Sequence, residues 1–341
     1  MVRFFVFLLF LNFPIFFTQA FENLPDSVPT PKDNPITKEK VELGKQLFFE
    51  PRLSKSGTIS CNSCHNVMAG GDDNRAQSVG IEGKTGNRSA PTVWNSAFLS
   101  VQFWDGRAAS LEDQAKGPIT NPVEMGMENH SLAVKRIASI PGYQTQFKKA
   151  FPKTKQPVTI DNIAKAIASY ERTLVTRNSP FDRFLMGDQS ALSLSAKKGA
   201  ELVKSVGCAS CHSGPNFAGP LLPEGQGIFH KFPLYPNTEL EKKFNFSKDL
   251  GRFDVTKKEE DRNTWRVPTW RNVALTAPYF HNGSVPTLKE AVQVMAKTQL
   301  NKDLSSSEVK HIVAFLESLT GEFPAQEMPR LPPLMGESSI K

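Results

Sequence analysis

The sequence predicts a mainly α-helical protein in two similar halves, and three observations carry that prediction. Apolar stripes with helical period recur along the chain, strand signals are sparse, and one five-residue motif occurs twice, each time behind a helical stretch of similar sequence. At 341 residues the chain is long enough for two ordinary domains, each with its own core.

The chain opens with Met1-Val2-Arg3, an apolar run from Phe4 to Phe17, and Thr18-Gln19-Ala20. A charged start, a hydrophobic centre and a small-residue end form the pattern of an export signal over residues 1–20, cleaved near Ala20. The alternative is a membrane anchor, but Asn12 and Pro14 interrupt a run already short for a span, and no later segment looks transmembrane. The formal charge of +7 drops by one when Arg3 leaves with the signal. Such an excess implies a solvated basic surface that could steer an acidic protein partner, and nothing resembles a basic nucleic-acid arm.

Residues 21–36 contain four prolines and little periodicity, which predicts an extended lead-in. Thr37 is placed to cap a helix with Val41, Gly44, Leu47 and Phe48 on one face, stopped at Pro51. The stripe Ile160, Ile163, Ala164, Ile167, Tyr170 and Leu174 predicts a second helix after Asp161. Arg177-Asn178-Ser179-Pro180 reads as the linker between a first domain over 21–180 and a second over 181–341, with the extreme C-terminus able to pack back on the first. Gly199-Ala200-Glu201-Leu202-Val203 resembles Gly44-Lys45-Gln46-Leu47-Phe48, so the second half repeats the design of the first. Residues 213–264, rich in Gly, Pro, Phe and Lys, predict a long loop. Thr287-x-x-Glu290 and Ser305-x-x-Glu308 predict capping boxes at the start of two final helices, the first carrying Leu288, Ala291, Val292 and Met295, the second Ile312, Val313, Leu316 and Leu319.

The repeated motif is Cys61-Asn62-Ser63-Cys64-His65 and Cys208-Ala209-Ser210-Cys211-His212, which together use all four cysteines. Cys-x-x-Cys-His is the attachment signature of c-type haem: two thiols add to the porphyrin vinyl groups and the following imidazole turns onto the iron. A zinc ribbon would set its Cys pairs about 15–20 residues apart, and a redox dithiol needs no adjacent histidine. Disulfides would not explain the two histidines. Each half is therefore expected to be a cytochrome c-like helical unit holding one covalent haem c.

With both motifs placed, the chain resembles the bacterial di-haem cytochrome c peroxidase family. The matching stretches are Ile59–Asn66, Gln102-Phe103-Trp104-Asp105-Gly106-Arg107-Ala108, Gln114–Pro118, Asn121–Met125, Arg266-Val267-Pro268-Thr269, Arg271-Asn272-Val273 and Thr276–Leu288, in family order across the mature chain. The resemblance implies an oxidoreductase that reduces hydrogen peroxide to water with electrons from a small c-type cytochrome or cupredoxin. It also implies a periplasmic location, a homodimer and one bound calcium ion. By the same resemblance the haem on Cys61, Cys64 and His65 is the peroxide site, and the haem on Cys208, Cys211 and His212 is the electron-entry site.

The family pattern then gives roles to residues that would otherwise have plain ones. Met295, alone a core filler, falls at the sixth ligand of the second haem, where a thioether opposite histidine raises the potential. Glu124, alone a solvated charge, falls at the acid–base residue of the peroxide pocket, with Gln114 and Pro118 as further parts of it. Trp104, alone a core residue, falls between the haems as an electron relay. His281 matches a residue that contacts a haem propionate. Thr276 and Pro278 match calcium contributors, and a third falls on Ser89, where the family usually has Asn; carbonyls and waters can serve a hard cation instead. Trp94, Trp265 and Trp270 are read as packing, and His130, His230 and His311 as surface or structural.

One departure concerns the reaction. Many relatives rest with a histidine on the distal face of the peroxide haem, and alignment of Ser78-Val79-Gly80 and Ala90-Pro91-Thr92 with the family puts Ile81 at that position. No histidine occurs between His65 and His130. The first haem is therefore expected to rest open, without reductive activation, and Glu82 to remain in its loop rather than replace the ligand. Two other functions fit parts of this pattern. An oxidase resembling MauG, which acts on a partner protein, also lacks the distal histidine but carries tyrosine where this chain has Met295. A non-enzymatic di-haem electron carrier would have both irons closed, which Ile81 and Glu124 oppose.

Overall fold

The computed structural model describes residues 21–334 together with 336 and 338, so the export signal read over 1–20 lies outside the described residues. The first half contains α1 (Lys38–Phe48), α2 (Cys61–Cys64), α3 (Leu111–Thr120), α4 (His130–Ala138), α5 (Pro141–Ala150) and α6 (Ile160–Glu171). The second contains α7 (Pro180–Leu185), α8 (Leu194–Val206), β1 (Phe229–Lys231), α9 (Glu239–Phe244), α10 (Phe253–Thr256), β2 (Thr264–Arg266), α11 (Leu288–Leu300) and α12 (Ser306–Glu317). The protein is mainly helical, and β1 and β2 form a single antiparallel pair with Phe229 opposite Arg266 among the described residues.

The two halves share one packing device. Thr37 caps α1 by accepting from Lys40 N, and α1 buries Leu43, Gly44, Leu47 and Phe48 against Ile163, Ala164, Ile167 and Tyr170 of α6. A Cβ at Gly44 would overlap the Ala166 carbonyl oxygen, so only glycine lets the two helices cross this closely. In the second half α8 crosses α12 in the same way, with Gly199 against the carbonyl of His311. The sequence likeness between the Gly44 and Gly199 stretches is therefore a likeness of helix crossings.

Ser305 and Glu308 form the reciprocal capping box expected at α12. At α11 the expectation is half met. Thr287 accepts from Glu290 N at 3.2 Å, but the Glu290 carboxylate turns to Lys243, 2.7 Å away, instead of reaching back to the cap. A full charge on α9 outcompetes a neutral backbone N–H for it.

The chain ends cross between the two cores. Phe21 is buried in the second core, its ring 5.1–5.9 Å from those of Phe181, Phe217 and Phe315. At the other end Phe323 packs edge-on to Trp94 at 4.8 Å, Tyr170 donates to Gln326 Oε1 at 2.9 Å, and Arg52 donates to the Pro332 carbonyl at 3.0 Å, all on the first core. Burying these aromatics removes large apolar areas from water and ties each half to the end of the other.

Candidate functional site

The sites start at the two motifs. A helical turn places Cys61 and Cys64 three residues apart on one face, and a capping pair of Ser60 and Ser63 fixes that turn. The second motif begins at Gly207, whose φ of 110° ends α8 in the left-handed region and releases Cys208–Ser210 into a tight 3₁₀ turn. All four thiols are unpaired. The histidines are prepared alike: His65 Nδ1 lies 3.0 Å from the Pro91 carbonyl and His212 Nδ1 3.1 Å from that of Phe217. A carbonyl at Nδ1 selects the tautomer that leaves Nε2 as the ligating atom, as a haem iron requires. Burial keeps both rings neutral, pushing His65 below the usual range and His212 down to about 4.

Around the second motif lies a cavity of about 230 Å³, lined by Cys208, Cys211, His212, Met295, Trp104, His281 and Arg266 among others. Trp270 stacks on His212 at 4.2 Å, and Trp265 stacks on His281 at 3.9 Å. His281 is buried with Nε2 against the Phe246 carbonyl at 3.2 Å. Arg266 is buried, donates to the carbonyls of Phe103 at 3.1 Å and Val267 at 3.0 Å, and has no carboxylate partner among the described residues. Burial pulls its pKa down to about 10, so an anion beside it is strongly favoured. An apolar cavity with two thiols, an imidazole, a thioether and one unneutralised cation suits a porphyrin with its carboxylate edge.

A second cavity, about 340 Å³, is lined by Phe103, Arg107, Ala108, Asp113, Gly117, Pro118, Asn121 and Glu124. Asn121 Nδ2 donates to Glu124 Oε1 at 2.8 Å and fixes the carboxylate. Burial pushes the Glu124 carboxyl up, and Arg107 pulls it back. Its charge reaches Cys61 and Cys64, so this pocket belongs to the first motif. Gln114 lies half-buried on α3, one turn before Pro118, and does not line the cavity.

One turn serves both cavities. Gln102 and Ala108 pair across it, and between them Phe103 and Gly106 both have φ of 66°. This tight reversal sends Trp104 into the second-motif cavity and Phe103 and Arg107 into the Glu124 cavity. Trp104 is held by Nε1 donating to the Ser89 carbonyl at 2.8 Å.

Ile81 is buried, and its N–H donates to the Glu124 carbonyl at 2.8 Å. Gly80 fits against the Val123 and Glu124 backbone where a Cβ would overlap it. Glu82 points outward and pairs with Lys84 at 2.7 Å. Ser89, Thr276 and Pro278 line the second-motif cavity. No cluster of three or more His, Cys, Asp or Glu suited to a metal is present among the described residues. Trp94 is core, while His130 and His311 are engaged by the Lys116 carbonyl and the Ser195 hydroxyl; His230 lines the edge of the second-motif cavity. Sequence reasoning gave no role to Arg107 or Arg266, and read Trp265 and Trp270 as packing only. The first two stood inside the Gln102–Ala108 and Arg266–Thr269 tracts, which was their only signal.

A family model described as di-haem cytochrome c peroxidase matches residues 38–190, and one described as RoxA-like, cytochrome c-like, matches residues 268–300. The cytochrome c551 peroxidase of Pseudomonas aeruginosa is 47% identical over 92% of this chain and 87% of its own length. That of Nitrosomonas europaea is 47% identical over 88% of this chain and 85% of its own. Among solved structures, a MauG-like protein associated with microbial copper homeostasis superposes with a TM-score of 0.76 at 29% identity, covering 88% of this chain and 95% of that one.

Proposed function

The chain belongs to the di-haem cytochrome c peroxidase family, and on that footing we propose that it reduces hydrogen peroxide to water on the Glu124 side of the first haem. The two electrons enter at the second haem from a small c-type cytochrome or cupredoxin. The observation that carries this reading is the unequal pair of cavities joined by one turn: Glu124 in one, His212 with Met295 and Trp104 in the other.

Haem c on each motif supplies the redox iron when bound. The chain supplies the rest. Glu124, steadied by Asn121, takes a proton from one peroxide oxygen and returns it to the other, so that water can leave as the O–O bond breaks. With two further protons and two electrons the products are two waters. Trp104, edge-on to His281 at 6.5 Å, carries electrons from the second cavity toward the first. Ile81 has no ligating atom, so a haem held by Cys61, Cys64 and His65 would receive no ligand from this position and would need no prior reduction. Domains over 21–180 and 181–341, export to the periplasm, a homodimer and one calcium on the carbonyls of Thr276, Pro278 and Ser89 complete the proposal and rest on the family resemblance.

Steady-state turnover of the oxidised holoenzyme with peroxide and a reduced small cytochrome tests the function. Electron paramagnetic resonance of the fully oxidised protein tests the open site. A purely low-spin spectrum with two nitrogen ligands on the first iron would overturn the latter. Failure with every small donor would favour the MauG-like oxidase, against which Met295 now speaks.

A further inference from the structure

We propose that Arg107 is a positioning residue for peroxide reduction, a guanidinium fixed across the pocket from Glu124 that sets the charge against which this carboxylate works. The inference rests on the peroxidase reading of that pocket.

Arg107 is immobilised more firmly than a half-exposed arginine needs to be. Its own N–H donates to Asp105 Oδ1 at 3.1 Å, its Nη1 reaches both Asp105 oxygens at 3.1 and 2.9 Å, and its guanidinium lies 3.5 Å from the centroid of the Phe103 ring. The stack and the Nη1 contact shared by both Asp105 oxygens hold the plane in one place. The Asp105 carboxylate is shared, because it also receives Arg88 Nη1 at 2.5 Å, and Arg88 is held in turn by Asp249 at 2.7 and 2.8 Å. Arg107 also lines the cavity that holds Glu124, and its charge acts on that carboxyl.

The groups facing Glu124 can be counted by element. The 102–108 turn contributes Arg107, the first turn of α3 contributes Asp113, and the following loop contributes neutral Asn121. Asp113 is partly answered by Lys116 at 3.9 Å. Burial drives Glu124 toward its protonated form, and Arg107 is the cation opposing that drive. A carboxylate that must accept the first peroxide proton needs this opposition.

Infrared difference spectra of the oxidised holoenzyme across pH give a readout independent of turnover, with the Glu124 carboxyl band identified by its loss in E124Q. In R107Q the protonation midpoint of Glu124 should rise by about 1 pH unit, and the acid limb of kcat/KM for peroxide should rise with it. R107K should keep both near the wild-type position. In the wild type itself, raising the ionic strength should move the midpoint upward by screening Arg107, and this measurement needs no variant to fold. An unmoved midpoint in R107Q, an equal shift in R107K, or a salt-independent wild-type midpoint would each overturn the proposal. A shifted midpoint in an enzyme without peroxide turnover would uphold the action of Arg107 on Glu124 and overturn the peroxidase reading on which its role in peroxide reduction rests.

Discussion

At the second motif, His212 shares an apolar cavity with Met295, Trp270 and Leu316, and the charged groups there are few and buried. At the first, the corresponding histidine is prepared by the same contact, a carbonyl at Nδ1, yet the nearby pocket holds Glu124, Arg107, Asp113 and Asn121. The helix pairs beneath the two motifs are alike down to the glycine at each crossing. The difference between the two sites therefore lies in what the loops bring to each and not in the scaffold. An apolar cavity with an imidazole and a thioether suits electron transfer, and a polar pocket with a tethered carboxylate suits proton transfer.

The contrast can be broken from either side. The largest effect is expected for Glu124→Gln, which keeps shape and removes the titrating group. Peroxide turnover should fall about 10²–10⁴-fold while the haem optical spectra stay unchanged, as stopped-flow and absorption measurements can verify. Ile81→His makes the first site resemble the second by offering an imidazole beside Glu124. The resting spectrum should become low-spin, most turnover of the oxidised enzyme should disappear, and pre-reduction should restore it.

Met295→His acts on the other site. The potential of the second haem should drop in a potentiometric titration and electron uptake from the donor should slow, with peroxide-induced spectral changes at the first haem retained. Gly44→Ala and Gly199→Ala test whether the scaffolds are equivalent. Each should lower stability by about 1–3 kcal/mol or prevent folding, and similar losses in thermal unfolding would confirm matched crossings.

The smallest effect concerns Glu171, a buried carboxyl at the end of α6 whose charge reaches Cys61 of the first motif. Burial pushes it up to about 8, well above the ordinary carboxylate value. The folded state thus holds a proton that the unfolded chain releases. Its contribution to stability is fully present below the unfolded carboxylate pKa and is lost as pH rises toward 8. Glu171→Gln should flatten the melting temperature over that interval, and an unchanged slope would show that the carboxyl finds another partner.

The parts of this protein that could be read along the chain are those written in contiguous residues. Cys61–His65 and Cys208–His212 state their chemistry in five positions each, and the stripes of α1, α6, α8 and α12 state the helical class, because haem attachment and helical period are both local. Glu124, Trp104 and Met295 were legible only through the family tracts around them, since a single Glu, Trp or Met has a commoner role.

Tertiary structure alone decided the rest. Glu290 leaves its expected capping box because Lys243 of another helix is close, Phe21 crosses to the second core, and Arg266 becomes a buried cation gripping the backbone beside Trp104. The turn of 102–108 reaches two cavities because Phe103 and Gly106 reverse the chain within five residues. What the sequence determined was which residues carry the haem-attachment signature. Which cavity receives a carboxylate and which a thioether depends on contacts between residues far apart in the chain, whose free energies exist only once the chain has folded.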